Sequence, residues 1–125
     1  MIIGMGIDIV ETSRVRRAVE NERFLSRVYT EVEQAYCRSQ GAQAVQSFAA
    51  RFAAKEAVMK AFGVGLWKGE FTDIEVLPEE SGRPVLHLHG WFARRADALG
   101  VTAKHISLSH TKAYGAANCI LEGKT

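Results

Sequence analysis

The run from Ala44 to Phe62 reads as one long helix whose most apolar face carries charge. Val45, Phe48, Phe52, Met59 and Phe62 recur at helical spacing and share a side. At about 100° per residue, Lys55 and Glu56 fall roughly 60° and 40° either side of Phe52, and Lys60 about 80° round, one turn above Glu56. Charge on a core-facing stripe is costly unless it meets a partner, a metal or a ligand. Any fold this chain adopts must therefore bring something polar to the middle of its central helix.

The 125 residues are read as one domain, 1–125, large enough to bury a core without disulfide staples. At 47% hydrophobic and 24% charged, the composition is that of an ordinary soluble globular protein. No apolar run approaches the roughly 20 residues of a membrane span, and the N-terminus lacks the order of a secretion signal. Cys37 and Cys119 fit no metal or redox spacing and read as buried thiols of a reducing, cytoplasmic compartment. The net charge of +2 argues against a general polyanion binder, but five arginines (14, 16, 17, 23 and 27) face only Glu20 and Glu22 between Thr12 and Val28. That local surplus is either a solvated helix face or a dock for an acidic partner.

Met1 to Val10 reads as a strand with Asp8 near its end. Thr12 or Ser13 can cap a short helix through Glu20, a second helical piece runs Arg23 to Tyr29, and Thr30-Glu-Val-Glu33 fits a capping box opening a helix to about Arg38. Gly41 breaks that helix, the long one follows, and Gly63 stops it. A glycine-spaced loop spans 63–69. Strands are expected over Thr72–Leu77, Val85–His89, Lys104–Ser109 and Ala113–Leu121, with a helix over Trp91–Leu99. This order suits an α+β fold, an antiparallel or mixed sheet packed on helices.

Asp8 interrupts an apolar strand, and Glu56 stands one turn before Lys60. Singly, the first is a strand-end cap and the second half of an i,i+4 ion pair. Together, two carboxylates with waters and substrate oxygens are the usual way to hold Mg2+, and Lys60 and Arg51 can each meet a phosphate. His87 and His89 share a strand face with no third or fourth ligand for zinc. His105 opens the next strand as a structural residue, and His110 sits at a strand end where side chains meet a cleft.

Several segments then coincide in order: Gly-Ile-Asp-Ile-Val at 6–10, Arg-Phe-Ala-Ala-Lys-Glu-Ala at 51–57, Lys-Ala-Phe-Gly at 60–63, Gly-Arg-Pro at 82–84 and Ser-Leu-Ser-His-Thr at 107–111. The chain resembles the short bacterial 4′-phosphopantetheinyl transferases, the holo-[acyl-carrier-protein] synthases, from Ile2 to Glu122. The resemblance implies transfer of the phosphopantetheine arm of coenzyme A to a serine of apo acyl carrier protein. It implies that adenosine 3′,5′-bisphosphate leaves, that Mg2+ is the cofactor and that the reaction serves fatty acid biosynthesis. It implies that Asp8 and Glu56 bind the metal, that Lys60 contacts the pyrophosphate, and that Arg51, Gly63, Pro84 and His110 line the coenzyme A site. It further implies a homotrimer in which Pro84 and His110 can serve a neighbouring subunit's site. Longer members of the wider family carry a third carboxylate where this chain has Val10, which favours the short, carrier-specific type.

Glu56, directly or through a water, is the first candidate for the base that takes the serine proton, with Lys60 as the accompanying catalytic cation. Arg14 matches the family's carrier-docking position, Arg17 lies one helical step away, and Arg16 points elsewhere. Lys55 is left open between an ion pair inside the subunit and one across an interface. The rival readings are a module that holds coenzyme A without transferring anything, a structural oligomer, and a nucleic-acid binder. The last is opposed by the near-neutral charge and the absence of aromatics among the arginines.

Overall fold

A computed structural model describes residues 1–64 and 68–124. In chain order the elements are β1 (Ile2–Glu11), α1 (Thr12–Ala18), α2 (Glu22–Val28), α3 (Glu31–Arg38), α4 (Ala44–Phe62), β2 (Ile74–Pro78), β3 (Pro84–Leu88), α5 (Gly90–Leu99), β4 (Val101–His110) and β5 (Tyr114–Gly123). Short 3₁₀ turns at Gly41–Gln43 and Phe71–Asp73 lead into α4 and β2. The α+β class stands, but the strands divide into two antiparallel sheets. One is three-stranded in the order β1-β5-β4, and the other is the β2-β3 hairpin.

Helix α4 is the centre of the molecule. It packs on β1 and β5 along one side and meets α1, α3 and β2 on others. The one-sided stripe expected from its phenylalanines is thus corrected. Ala49, Ala50, Ala53, Ala54, Ala57 and Ala61 are buried as well, and Val45 and Phe52 are only partly covered. Most of the helix is surrounded by other elements, so small alanines complete the covered part of its circumference and let neighbours come close.

That closeness is greatest at β1. A Cβ placed at Gly6 would strike the Ala57 carbonyl oxygen and crowd Lys60, and one at Gly4 would strike the Ala61 carbonyl. Side chains alternate along a strand, so Gly4, Gly6, Asp8 and Val10 turn toward α4 while Met5, Ile7 and Ile9 turn outward. The glycines let strand and helix backbones meet, and Asp8 is the next inward side chain. In register it lies opposite Ala117, on the covered face of the sheet.

The helix ends follow local chemistry. Thr30 and Glu33 form the expected reciprocal capping box, with Thr30 N–H donating to Glu33 Oε1 at 2.9 Å and Glu33 N–H to Thr30 Oγ1 at 3.1 Å. Asn21 caps α2 through its side-chain oxygen. Gly63 closes α4 at φ 71°, a left-handed conformation that glycine adopts without strain. Neither Thr12 nor Ser13 caps α1: Glu11 occupies the cap position, and Thr12 is buried as the first helical residue. The last two strands extend beyond the sequence expectation because cross-strand bonds carry β4 back to Val101 past an irregularity before Ala103. Among the described residues no helix is long and apolar enough to cross a membrane. Cys37 and Cys119 are free and buried, as read.

Candidate active site

The two lysines of α4 lead different lives. Lys55 is fully buried and its ammonium donates to Glu33 Oε1 at 2.9 Å, to the Phe71 carbonyl at 3.0 Å and to the Ile74 carbonyl. Burial pulls its pKa below the ordinary lysine value, and the Glu33 carboxylate opposes that pull. Glu33 is equally buried, and its other oxygen accepts the Val76 N–H at 2.8 Å. Three donated bonds exhaust the ammonium. Of the two readings left open for Lys55, the structure shows the pair within the subunit, tying α4 to α3 and β2.

Lys60 is on another side of the helix, with its side chain about half exposed. The i,i+4 pairing with Glu56 is corrected: the ammonium donates to Asp8 Oδ1 at 2.9 Å and to the Ile7 carbonyl at 3.0 Å. The glycine-lined approach of β1 makes Asp8 the nearer partner. Glu56 is half-buried beside them. Its carboxyl is pushed above the ordinary glutamate value by burial first and by the Asp8 charge second, while Lys60 pulls it down. Asp8 and Glu56 therefore converge on one place, near Lys60. No group of three or more metal-ligating side chains occurs among the described residues. The donor set is two carboxylates with one ammonium beside them, bonded to Asp8. Such a pair carries uncompensated negative charge and hard ligands, which suits Mg2+ completed by water or substrate oxygens.

Arg51, Pro84 and His110 meet elsewhere. They line a cavity of about 180 Å³ together with Tyr36, Gln40, Gln43 and Ser47. Arg51 precedes Glu56 and Lys60 on the helix by offsets of roughly 140° and 180°, so within one chain its cavity opens on a different side of α4. Gly63 is exposed just past the helix end, its N–H bonded to the Lys60 carbonyl. Of the loop beyond it, 65–67 lie outside the described residues. His89 Nε2 lies 3.0 Å from Glu75 Oε1, and His87 pairs with Glu75 across the hairpin. His105 bonds Glu122 across the sheet.

Arg14, Arg16 and Arg17 are all exposed on α1. Arg14 borders a small apolar cavity with Val10, Val15, Ala18, Phe24 and Phe52. Phe52 lies one turn before Glu56, so this cavity adjoins the carboxylate site. The sequence reading missed Tyr36 and Ser47. Ser47, four residues before Arg51, was legible from helical spacing, but Tyr36 reaches the cavity from a different helix and left no local signal.

The chain has close counterparts in sequence and in fold. Residues 4–118 match the model of the 4′-phosphopantetheinyl transferase superfamily. The holo-[acyl-carrier-protein] synthase of Koribacter versatilis is 50% identical over 98% of this chain and 99% of that protein. The crystal structure of the holo-(acyl-carrier-protein) synthase of Bacillus anthracis in complex with CoA (3′,5′-ADP) superposes with a TM-score of 0.82. It is 34% identical over 99% of both chains. The Helicobacter pylori synthase in complex with coenzyme A gives a TM-score of 0.82 at 27% identity, covering 94% of this chain and 99% of that one. The chain belongs to the 4′-phosphopantetheinyl transferase superfamily and, within it, to the holo-[acyl-carrier-protein] synthases.

Proposed function

We propose that the chain transfers the 4′-phosphopantetheine group of coenzyme A to a serine of an acidic apo acyl carrier protein, in a Mg2+-dependent reaction of fatty acid biosynthesis that releases adenosine 3′,5′-bisphosphate. The convergence of Asp8, Glu56 and Lys60 carries this reading, in a chain whose relatives are holo-[acyl-carrier-protein] synthases. In the reaction the serine oxygen forms a bond to the phosphorus that bears the pantetheine. The bond from that phosphorus to the bridging oxygen breaks, and the bisphosphate leaves with the electron pair. Asp8 and Glu56 are the residues that would hold Mg2+, which when bound supplies positive charge to the diphosphate oxygens. Lys60 adds a second positive charge that needs no strict geometry. Glu56 takes the serine proton, directly or through a metal-bound water. Positioning and charge then supply most of the acceleration.

The carrier docks through Arg14 and Arg17 beside the small apolar cavity, which sets its serine near Glu56. Coenzyme A is held by Lys60 and Gly63 at the diphosphate end and by Arg51, Pro84 and His110 at the nucleotide end. Those two groups open on different sides of α4, which supports a site shared between copies. The outward row of Met5, Ile7 and Ile9 on β1, each at least 64% exposed, offers the apolar surface such copies would cover, and the assembly is a homotrimer. The free, buried thiols fit a cytoplasmic location. Incubation with coenzyme A, Mg2+ and an apo carrier should add about 340 Da to the carrier, the mass of the transferred group. An unmodified carrier, with coenzyme A still bound, would leave a holding module in place of a transferase.

A further inference from the structure

The ammonium of Lys60 is placed by the backbone of β1. A Cβ at Gly6 would lie 2.9 Å from Lys60 Cβ, so the lysine stem passes over a strand position that has no side chain. Its nitrogen then meets acceptors from two consecutive residues, the Ile7 carbonyl at 3.0 Å and Asp8 Oδ1 at 2.9 Å. Glu56, one turn earlier on the helix, is close enough for the Asp8 and Lys60 charges to act on it. Of the two carboxylates, only Asp8 is bonded to the lysine. A hard cation shared by Asp8 and Glu56 therefore draws on a carboxylate that already has a partner. That partner can yield. The Lys60 side chain is 55% exposed against 17% for Asp8, and a pair so open to water contributes little by itself. An ammonium on four flexible carbons also changes acceptors without strict geometry.

We propose that Lys60 couples the binding of a divalent cation to that of coenzyme A, by occupying Asp8 until a diphosphate offers it another acceptor. The inference rests on coenzyme A and Mg2+ as ligands of this site and deepens that reading. In the free chain Lys60 opposes a cation at Asp8 twice, by competing for Oδ1 and by its like charge. Diphosphate oxygens draw the ammonium away, and the Asp8 carboxylate is then available beside Glu56. Linkage makes the effect mutual: the factor that coenzyme A adds to cation affinity is the factor that the cation adds to coenzyme A affinity. Lys60 thus does more than add charge to a bound diphosphate. It weakens the carboxylate pair as a cation site when no diphosphate is there.

The test reads binding on the full-length protein. Mn2+ is the probe, followed by electron paramagnetic resonance without nucleotide. Lys60→Met and Lys60→Gln should each tighten Mn2+ binding about three- to tenfold. Asp8→Asn removes the contested ligand; it should weaken Mn2+ binding and abolish the gain when combined with Lys60→Met. Arg14→Ala removes a nearby exposed charge on α1 and should change Mn2+ affinity less than about twofold. In calorimetric titration, saturating Mg2+ should raise coenzyme A affinity by a larger factor in the wild type than in Lys60→Met. Unchanged or weaker Mn2+ binding in both Lys60 variants overturns the proposal. So does an equal gain from Arg14→Ala, or an equal Mg2+ effect on coenzyme A with and without the lysine. Any of those results beside a carrier modified by the wild type would discard the coupling and keep the transferase reading. Tighter Mn2+ binding by the Lys60 variants, in a chain whose wild type leaves the carrier unmodified, would do the reverse.

Discussion

The two lysine–carboxylate pairs of α4 differ in everything but chemistry. Lys55–Glu33 and Lys60–Asp8 both span 2.9 Å, yet the first has side chains at 0% exposure and the second at 55% and 17%. The sealed pair is saturated: every ammonium hydrogen has an acceptor, and both Glu33 oxygens are used. The open pair has a second carboxylate beside it and too little positive charge to balance both. A buried charge with all its bonds made holds a fold together. A half-exposed cluster with charge left over is prepared for something that arrives.

The sharpest way to break this contrast is Lys55→Met. It strands Glu33 in the core, and urea unfolding should show a loss of about 3–5 kcal/mol. Lys60→Met should shift stability by no more than about 1 kcal/mol while impairing transfer; comparable destabilisation by both would erase the distinction. Next in size, Glu56→Gln should lower kcat about 10²- to 10⁴-fold with an unaltered melting temperature and assembly. A variant that keeps near-normal kcat would remove Glu56 from the chemistry. Arg14→Ala should raise KM for the carrier about fivefold or more and leave that for coenzyme A nearly unmoved. Added salt should weaken carrier binding too, since exposed charges are screened within about 8–10 Å. The smallest effect concerns protons. In metal-free protein, carbon-13 NMR should show Glu56 titrating above the ordinary glutamate value. Asp8→Asn should lower that pKa, because a negative neighbour is removed and Lys60 is released, while burial keeps part of the elevation. An upward move would mean that Asp8 does not act on Glu56 as described.

What could be read from the chain was local. The bounds of α4, the Thr30–Glu33 capping box and the stop at Gly63 are written in neighbouring residues and match the structure. Partners from far along the chain were not written there. Glu33 reads as a capping residue, and nothing near it announces that it also receives Lys55 and the Val76 amide. Charge on the central helix was visible, but its division into a tie and a site depends on which element each lysine meets. The preference of Lys60 for Asp8 over Glu56 follows from how closely β1 approaches, which the glycines permit without advertising. Likewise Arg51 stands out in the sequence as a basic residue of α4, whereas its contact with the Tyr36 ring depends on the packing of α3 on α4.

The bare contact between β1 and α4 has a consequence for tolerance to change. Where a layer of side chains separates two elements, altering one core residue widens or narrows the gap. At Gly4 and Gly6 there is no such layer, and main chain rests on main chain. The spacing between Asp8 and Glu56 is thereby insulated from the sizes of distant core residues. Conservative substitutions around Phe62 or Leu121 should soften the domain before they detune its chemistry.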